Sequence, residues 1–319
     1  MIETTDLTKH YGVVHALSDL SVQVRRGEVF GLLGPNGSGK TTAIRLLLGM
    51  IKPSRGRATV GGFDCWEDSV NVRALVSYVP GELRMYGSMT GLGTLKFLSD
   101  LRGGEALDRA VAIAEKVMGL DLSRKTRTYS TGMKQKLALA QAFADPVEIL
   151  ILDEPTSALD PSARQDVLGL VVDARARGQT VIFSGHVLPE VEQVSDRVAI
   201  MRLGRLMHIE DMHTRRGLRM ILVRFGGVEP FGFPEELEVT VRERNPDAWL
   251  LEHRGAIGPL LAWLSTQDVA ELAIGTEDLK SLYDQYHGPL VDGPSVEVEA
   301  PDLGFDPSAL AAVTGGGAS

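Results

Sequence analysis

One eight-residue segment, Gly34-Pro35-Asn36-Gly37-Ser38-Gly39-Lys40-Thr41, limits what this chain can fold into more than any other. An apolar run, Val29-Phe30-Gly31-Leu32-Leu33, precedes it. After it, Thr41 to Leu48 carries apolar residues at helical spacing with no internal Gly or Pro. A buried strand, a glycine-rich turn and a helix in immediate succession are what a phosphate loop requires. The glycines let successive backbone N–H groups turn inward around phosphate oxygens, and the helix N-terminus adds its positive dipole. In this reading Lys40 neutralises the β- and γ-phosphates, the Thr41 hydroxyl holds Mg²⁺, and Thr42 joins Gly34 to Thr41 as a nucleotide-binding position.

A second segment serves the same chemistry. Ile149-Leu150-Ile151-Leu152-Asp153-Glu154 reads as a buried strand delivering two adjacent acids at its end. Consecutive strand residues face opposite ways, so the two carboxylates can take separate jobs. Asp153 suits Mg²⁺ through its water shell, and Glu154 suits the water that attacks a γ-phosphate. Between loop and acids, Leu92 to Ala144 is mostly helical in pattern, broken at Gly103-Gly104 and Gly119. A helix over Gln165–Arg175 then leads to the apolar strand Thr180-Val181-Ile182-Phe183, so parallel βαβ units account for the order of elements. The expected fold class is α/β, with short strands and turns ahead of the loop.

Three further segments narrow the reading: Tyr129-Ser130-Thr131-Gly132-Met133-Lys134-Gln135 before a helix, Pro155-Thr156-Ser157-Ala158-Leu159-Asp160 directly after Glu154, and His186 ending the next strand. With the phosphate loop and the paired acids, they resemble the nucleotide-binding domain of ABC ATPases over residues 1 to about 213. The resemblance implies a P-loop NTPase domain of ABC type, with an antiparallel β-subdomain and a helical subdomain over about 83–145. ATP and Mg²⁺ are its implied cofactors. Ser130, Thr131, Gly132 and Met133 resemble the signature motif, which caps the γ-phosphate of ATP held by a second copy, so that hydrolysis needs two chains head to tail. Tyr11, within Lys9-His10-Tyr11-Gly12, resembles the aromatic that stacks on adenine. Asp160 resembles the acid that communicates across the dimer, and His186 the switch histidine at the γ-phosphate, catalytic together with Glu154 and Lys40.

The implied partners are an identical or paralogous ATPase subunit and separate transmembrane permease subunits, which would hold the chain at the cytoplasmic face of the cell membrane. A small domain after the nucleotide-binding domain resembles the drug- and antibiotic-exporter branch. The alternative is a soluble ABC-type ATPase not coupled to transport. Translation-type relatives carry two nucleotide domains in one chain, and DNA-type ones carry long coiled coils or zinc-binding cysteines. Neither feature occurs in this sequence. Two positions depart from the family pattern. Thr131 stands where a second glycine is usual, and Val79-Pro80-Gly81-Glu82-Leu83 lacks the expected Q-loop glutamine. Glu82 is then either a substitute oxygen donor to Mg²⁺ or a solvated residue beside a turn.

From about Met220 short strands alternate with helices, so residues 217–288 are expected to form a small α+β domain, regulatory or dimer-supporting, without a second phosphate loop. Residues 289–319 hold acids but no Lys or Arg and end in Gly315-Gly316-Gly317-Ala318-Ser319, the composition of a disordered acidic tail. A net charge of −9 argues against nucleic acid as a partner. Cys65 is the single cysteine, which excludes an internal disulfide and a cysteine-cluster metal site. Met1 to Asp6 is too polar for a signal peptide, and no apolar stretch approaches the ~18 residues of a membrane span.

Overall fold

The computed structural model describes residues 1–227, 230, 232–245, 248–276 and 279–287. The acidic tail expected to be disordered, 289–319, lies outside the described residues. The chain divides after Met212 into two compact units.

In the first unit a six-stranded sheet has the spatial order Arg205–Asp211, Arg197–Arg202, Val29–Leu33, Thr180–Gly185, Ile149–Asp153, Val76–Val79. Neighbours run parallel except for the hairpin Arg197–Arg202 with Arg205–Asp211. Every residue of Val29–Leu33, Ile149–Asp153 and Thr180–Gly185 is buried. Parallel strands covered on both faces need apolar residues throughout rather than on alternate positions, which is why these segments read as continuous runs. Leu33 pairs with Gly185 and Asp153 with Ser184, so three strands end at one level. Ligands of parallel α/β sheets bind outside such carboxyl ends.

A second sheet is antiparallel, ordered Val14–Leu20, Ile2–Tyr11, Arg55–Val60, Phe63–Asp64, with Gln23–Val24 also paired to Ile2–Tyr11. Its Ile2, Leu7, Leu17 and Val60 share one core with Ala43, Ile44 and Leu46 of the helix Lys40–Leu47 and with Ile149, Ile151 and Ile182 of the parallel sheet. The helix behind the phosphate loop is thus fixed by apolar burial on several sides.

The helical insertion comprises Gly91–Asp100, Leu107–Ala112 continued by a π-helical turn Ile113–Val117, and Thr131–Ala144. Gly103 and Gly104 separate the first two in left-handed conformation, φ 97° and 84°, where a side chain would be strained. One buried carboxylate ties the insertion to the sheet. Asp145 accepts from Ser77 Oγ at 2.8 Å and Gln141 Nε2 at 2.7 Å and lies 3.5 Å from Arg102 Nε. A buried acid so fully partnered fixes its neighbours in position.

The second unit holds an antiparallel sheet ordered Val239–Arg244, Trp249–Arg254, Leu218–Phe225, Val269–Thr276. Leu260 and Leu264 of the helix Ile257–Leu264 pack with Ile221, Val223, Trp249 and Leu251 into its core. The helix Leu279–His287 closes the described part, giving an α+β unit.

Candidate functional site

The level strand ends border a cleft of about 530 Å³. Asn36, Gly37, Ser38, Gly39, Lys40, Thr41 and Thr42 line it together with Asp153 and Glu154, so the two segments that the sequence singled out meet there. Gly34 is required by packing, because a Cβ would lie 2.4 Å from the Met201 carbonyl oxygen and 2.6 Å from Ser38 Oγ. Gly39 is required by conformation, at φ 103°.

Lys40 is only 4% exposed. Its ammonium donates to the carbonyls of Gly34 at 2.7 Å and Pro35 at 3.2 Å and lies 3.4 Å from Glu154 Oε1. Thr41 Oγ1 donates to Asp153 Oδ2 at 2.9 Å, and Ser184 Oγ donates to Asp153 Oδ1 at 2.6 Å. Glu154 leaves the strand with φ 49°, a left-handed conformation that costs a non-glycine residue of order 1–3 kcal/mol. Its N–H is held by the Ser184 carbonyl at 3.2 Å and Ser184 Oγ at 3.0 Å. Its Oε2 lies 3.5 Å from His186 Nδ1, so one carboxylate faces both an ammonium and an imidazole.

These residues fit a nucleoside triphosphate with Mg²⁺. Thr41 and Asp153 are hard oxygen donors within bonding reach of one another, as the cation prefers. Ser38 Oγ, in the loop itself, is buried without a hydrogen-bond partner among the described residues. A buried hydroxyl left unpaired is costly unless a ligand completes it.

Pro80, Gly81 and Glu82 also border the cleft, and Glu82 is exposed. A Cβ at Gly81 would make an ordinary 3.4 Å contact with the Asp153 carbonyl, so sterics do not demand glycine there. Tyr78 lines the same wall. Burial, reinforced by the Asp153 charge and opposed by Arg45, pushes its phenol up to about 12 and keeps it neutral.

Other sequence-read residues lie apart from this cleft. Ser130 caps the helix Thr131–Ala144, its Oγ accepting from the Met133 N–H at 3.2 Å, and both Ser130 and Thr131 are exposed. A Cβ on Gly132 would lie 2.6 Å from the Ala158 carbonyl oxygen, so close backbone approach already requires glycine. Asp160 caps Pro161–Ala176 by accepting from the Ala163 N–H at 2.9 Å. That bond, aided by Lys136, holds its carboxyl below the usual carboxylate range. None of Ser130, Thr131, Gly132, Met133 and Asp160 borders the cleft of its own chain. Tyr11 is 48% exposed with Lys9 Nζ 5.1 Å from its ring centroid, and it too stands outside the lining.

Val14, His15, Ala16, Arg45, Tyr78 and Ser184 escaped the sequence reading. Ser184 had a usable signal, a hydroxyl at the end of an otherwise apolar buried strand. Val14 to Ala16 had none, since their position depends on how the two sheets pack.

Residues 17–157 match the ABC transporter family. The linearmycin resistance ATP-binding protein LnrL of Bacillus subtilis (strain 168) is 34% identical over 213 residues, 66% of this chain and 68% of LnrL. An uncharacterized ABC transporter ATP-binding protein, sll0415, of Synechocystis sp. is 36% identical over 220 residues. That match covers 65% of this chain but only 62% of the Synechocystis protein. Among solved structures, an ATP binding subunit of an ABC transporter superposes with a TM-score of 0.62 at 28% identity, over 68% of this chain and 92% of that one.

Proposed function

The chain belongs to the ABC transporter family of ATP-binding proteins, and from that premise we propose that it hydrolyses ATP to drive transport, as a head-to-tail dimer on transmembrane subunits carried by other chains. What supports the hydrolytic part above all is the meeting of Lys40, Thr41, Asp153 and Glu154 in one cleft, with His186, outside its lining, 3.5 Å from the Glu154 carboxylate.

In this reading the loop amides and Lys40 bind the phosphates, while Thr41 and Asp153 hold Mg²⁺, with Glu82 as a further oxygen donor. Bound Mg²⁺ neutralises charge on the β- and γ-phosphate oxygens. Glu154 accepts a hydrogen bond from the attacking water and takes its proton, leaving hydroxide oxygen to bond phosphorus as the ADP oxygen departs. His186, 3.5 Å from that carboxylate, orients it toward the γ-phosphate. Tyr11 stacks on the adenine.

The exposed helix start at Ser130–Met133 borders nothing in its own cleft, which favours donation to a second chain, with Asp160 at the shared boundary. The transmembrane partner is proposed to dock in a groove of about 360 Å³ lined by Tyr86, Phe97 and Leu101, of which Tyr86 is 67% and Leu101 68% exposed. Such apolar exposure is what a partner's surface would cover. That arrangement would place the chain at the cytoplasmic face of the membrane. No described helix is itself long and apolar enough to cross one. LnrL is named for linearmycin resistance, and by analogy the proposed direction is export.

Glu154→Gln tests the scheme, because the amide keeps the side chain's shape and loses the base. The purified wild type should release phosphate from ATP only with Mg²⁺. The variant should bind ATP, release no phosphate and sediment as a lasting dimer. A folded variant that stays monomeric under saturating ATP would sink the head-to-tail mechanism.

A further inference from the structure

Strands Ile2–Tyr11 and Val14–Leu20 form an antiparallel hairpin whose turn contains Gly12 at φ 59°. His10 lies directly opposite His15, and Tyr11 opposite Val14. The His10 N–H donates to Ser54 Oγ at 3.0 Å, away from the hairpin partner. The His10–His15 pair is therefore one that exchanges no backbone bonds, the kind in which opposite Cα atoms approach to about 4.5 Å and side chains come closest. Their ring centroids are 4.1 Å apart, tilted by 45°, and both side chains are exposed.

Core packing does not explain two exposed imidazoles in contact, and neither ring makes a hydrogen bond among the described residues. Chelation does explain them. Imidazole nitrogens bind Zn²⁺ at about 2.0–2.1 Å, so a tetrahedral ion needs two of them about 3.4 Å apart. The centroids of two imidazoles on such an ion lie about 5 Å apart, so from 4.1 Å these exposed rings need only splay outward by roughly 1 Å. Among the described residues no group of three or more His, Cys, Asp or Glu side chains completes a closed site. Water would fill the remaining positions, as in zinc sites that keep coordination open. Two imidazole nitrogens select a borderline cation over Mg²⁺, which prefers oxygen.

We propose that His10 and His15 form a two-histidine site for Zn²⁺ or a cation of similar ligand preference at the rim of the nucleotide cleft. His15 is itself a cleft-lining residue, so the ion would sit at the edge of that cleft. By bridging the strands it pins the turn at Gly12-Val13 and with it Tyr11. The consequence for adenine stacking rests on the proposed ATP reading; the metal site does not.

The test is calorimetric titration of the tag-free full chain, stripped with EDTA, with Zn²⁺ in millimolar Mg²⁺. One Zn²⁺ should bind per chain. His10→Ala and His15→Ala should each weaken binding by about tenfold or more, since losing even an outer-shell partner of a metal ligand costs that much. Both positions are exposed, so circular dichroism should show unchanged folding. In the wild type alone, Zn²⁺ should also slow amide exchange at Val13 and Val14. Absence of zinc binding, or unchanged affinity in both variants, overturns the site. Loss of binding only in His208→Ala would do the same, placing the ion at His208 and Glu210, whose Nε2 and Oε2 are 2.8 Å apart. Phosphate release is measured separately, so failure of either idea leaves the other standing.

Discussion

At the scale of single residues, Glu82 and Cys65 show how far local chemistry reaches. Glu82 borders the cleft where Gly81 offers no side chain, so its carboxylate is the side-chain oxygen that Pro80, Gly81 and Glu82 bring to the cleft. Glu82→Ala should raise the Mg²⁺ concentration for half-maximal ATPase activity, and Glu82→Gln should raise it less. Unchanged Mg²⁺ dependence in both would make Glu82 a bystander. Cys65 is buried, and burial, reinforced by the Asp64 charge, pushes its thiol up to about 12. Both causes disfavour the thiolate, so the neutral, unreactive form persists until the pH approaches that value. Iodoacetamide at pH 8 should label Cys65 only after denaturation; prompt labelling of the native chain would contradict its burial. Lys40, Thr41 and Asp153 were legible in the sequence because their neighbours declare strand, loop and helix. Ser184 was not, since its bond to Asp153 depends on the register between two strands.

At the scale of elements, the start of the helix Thr131–Ala144 carries two functions that substitution can separate. Ser130→Ala removes the cap on the Met133 N–H and should lower stability by about 1 kcal/mol. Gly132→Ala drives a methyl to within 2.6 Å of the Ala158 carbonyl and should cost roughly 1–3 kcal/mol as overpacking. Thermal melts of the isolated chain read both. If the exposed helix start also serves a second copy, Ser130→Ala should reduce ATPase activity far beyond this small loss of stability. Activity that tracks the melts alone would reduce the motif to a cap. The helix and its cap could be read from residue types. The demand for glycine at 132 could not, because the Ala158 carbonyl arrives from a segment more than twenty residues away.

For the molecule as a whole, the division after Met212 leaves the cleft and every residue assigned to it in the first unit. Deleting residues 217–319 should therefore leave nucleotide affinity within about twofold, by fluorescent-nucleotide titration, and abolished binding by a folded truncation would refute a supporting role for the second unit. The alternation of strand and helix was legible because period and length differ between the two. The spatial order of strands was not, and that order shapes how the chain is made. Val29–Leu33 sits between Thr180–Gly185 and Arg197–Arg202, with Val29 opposite Val181 and Phe30 opposite Arg197. Both neighbours are translated some 150 residues later, which at about 5–20 residues per second is a delay of roughly 8–30 s. Throughout that interval an apolar strand destined for complete burial has no ladder partner. The segment bearing the phosphate loop is synthesised early and shielded late, and that interval is when the nascent chain is most open to aggregation through it.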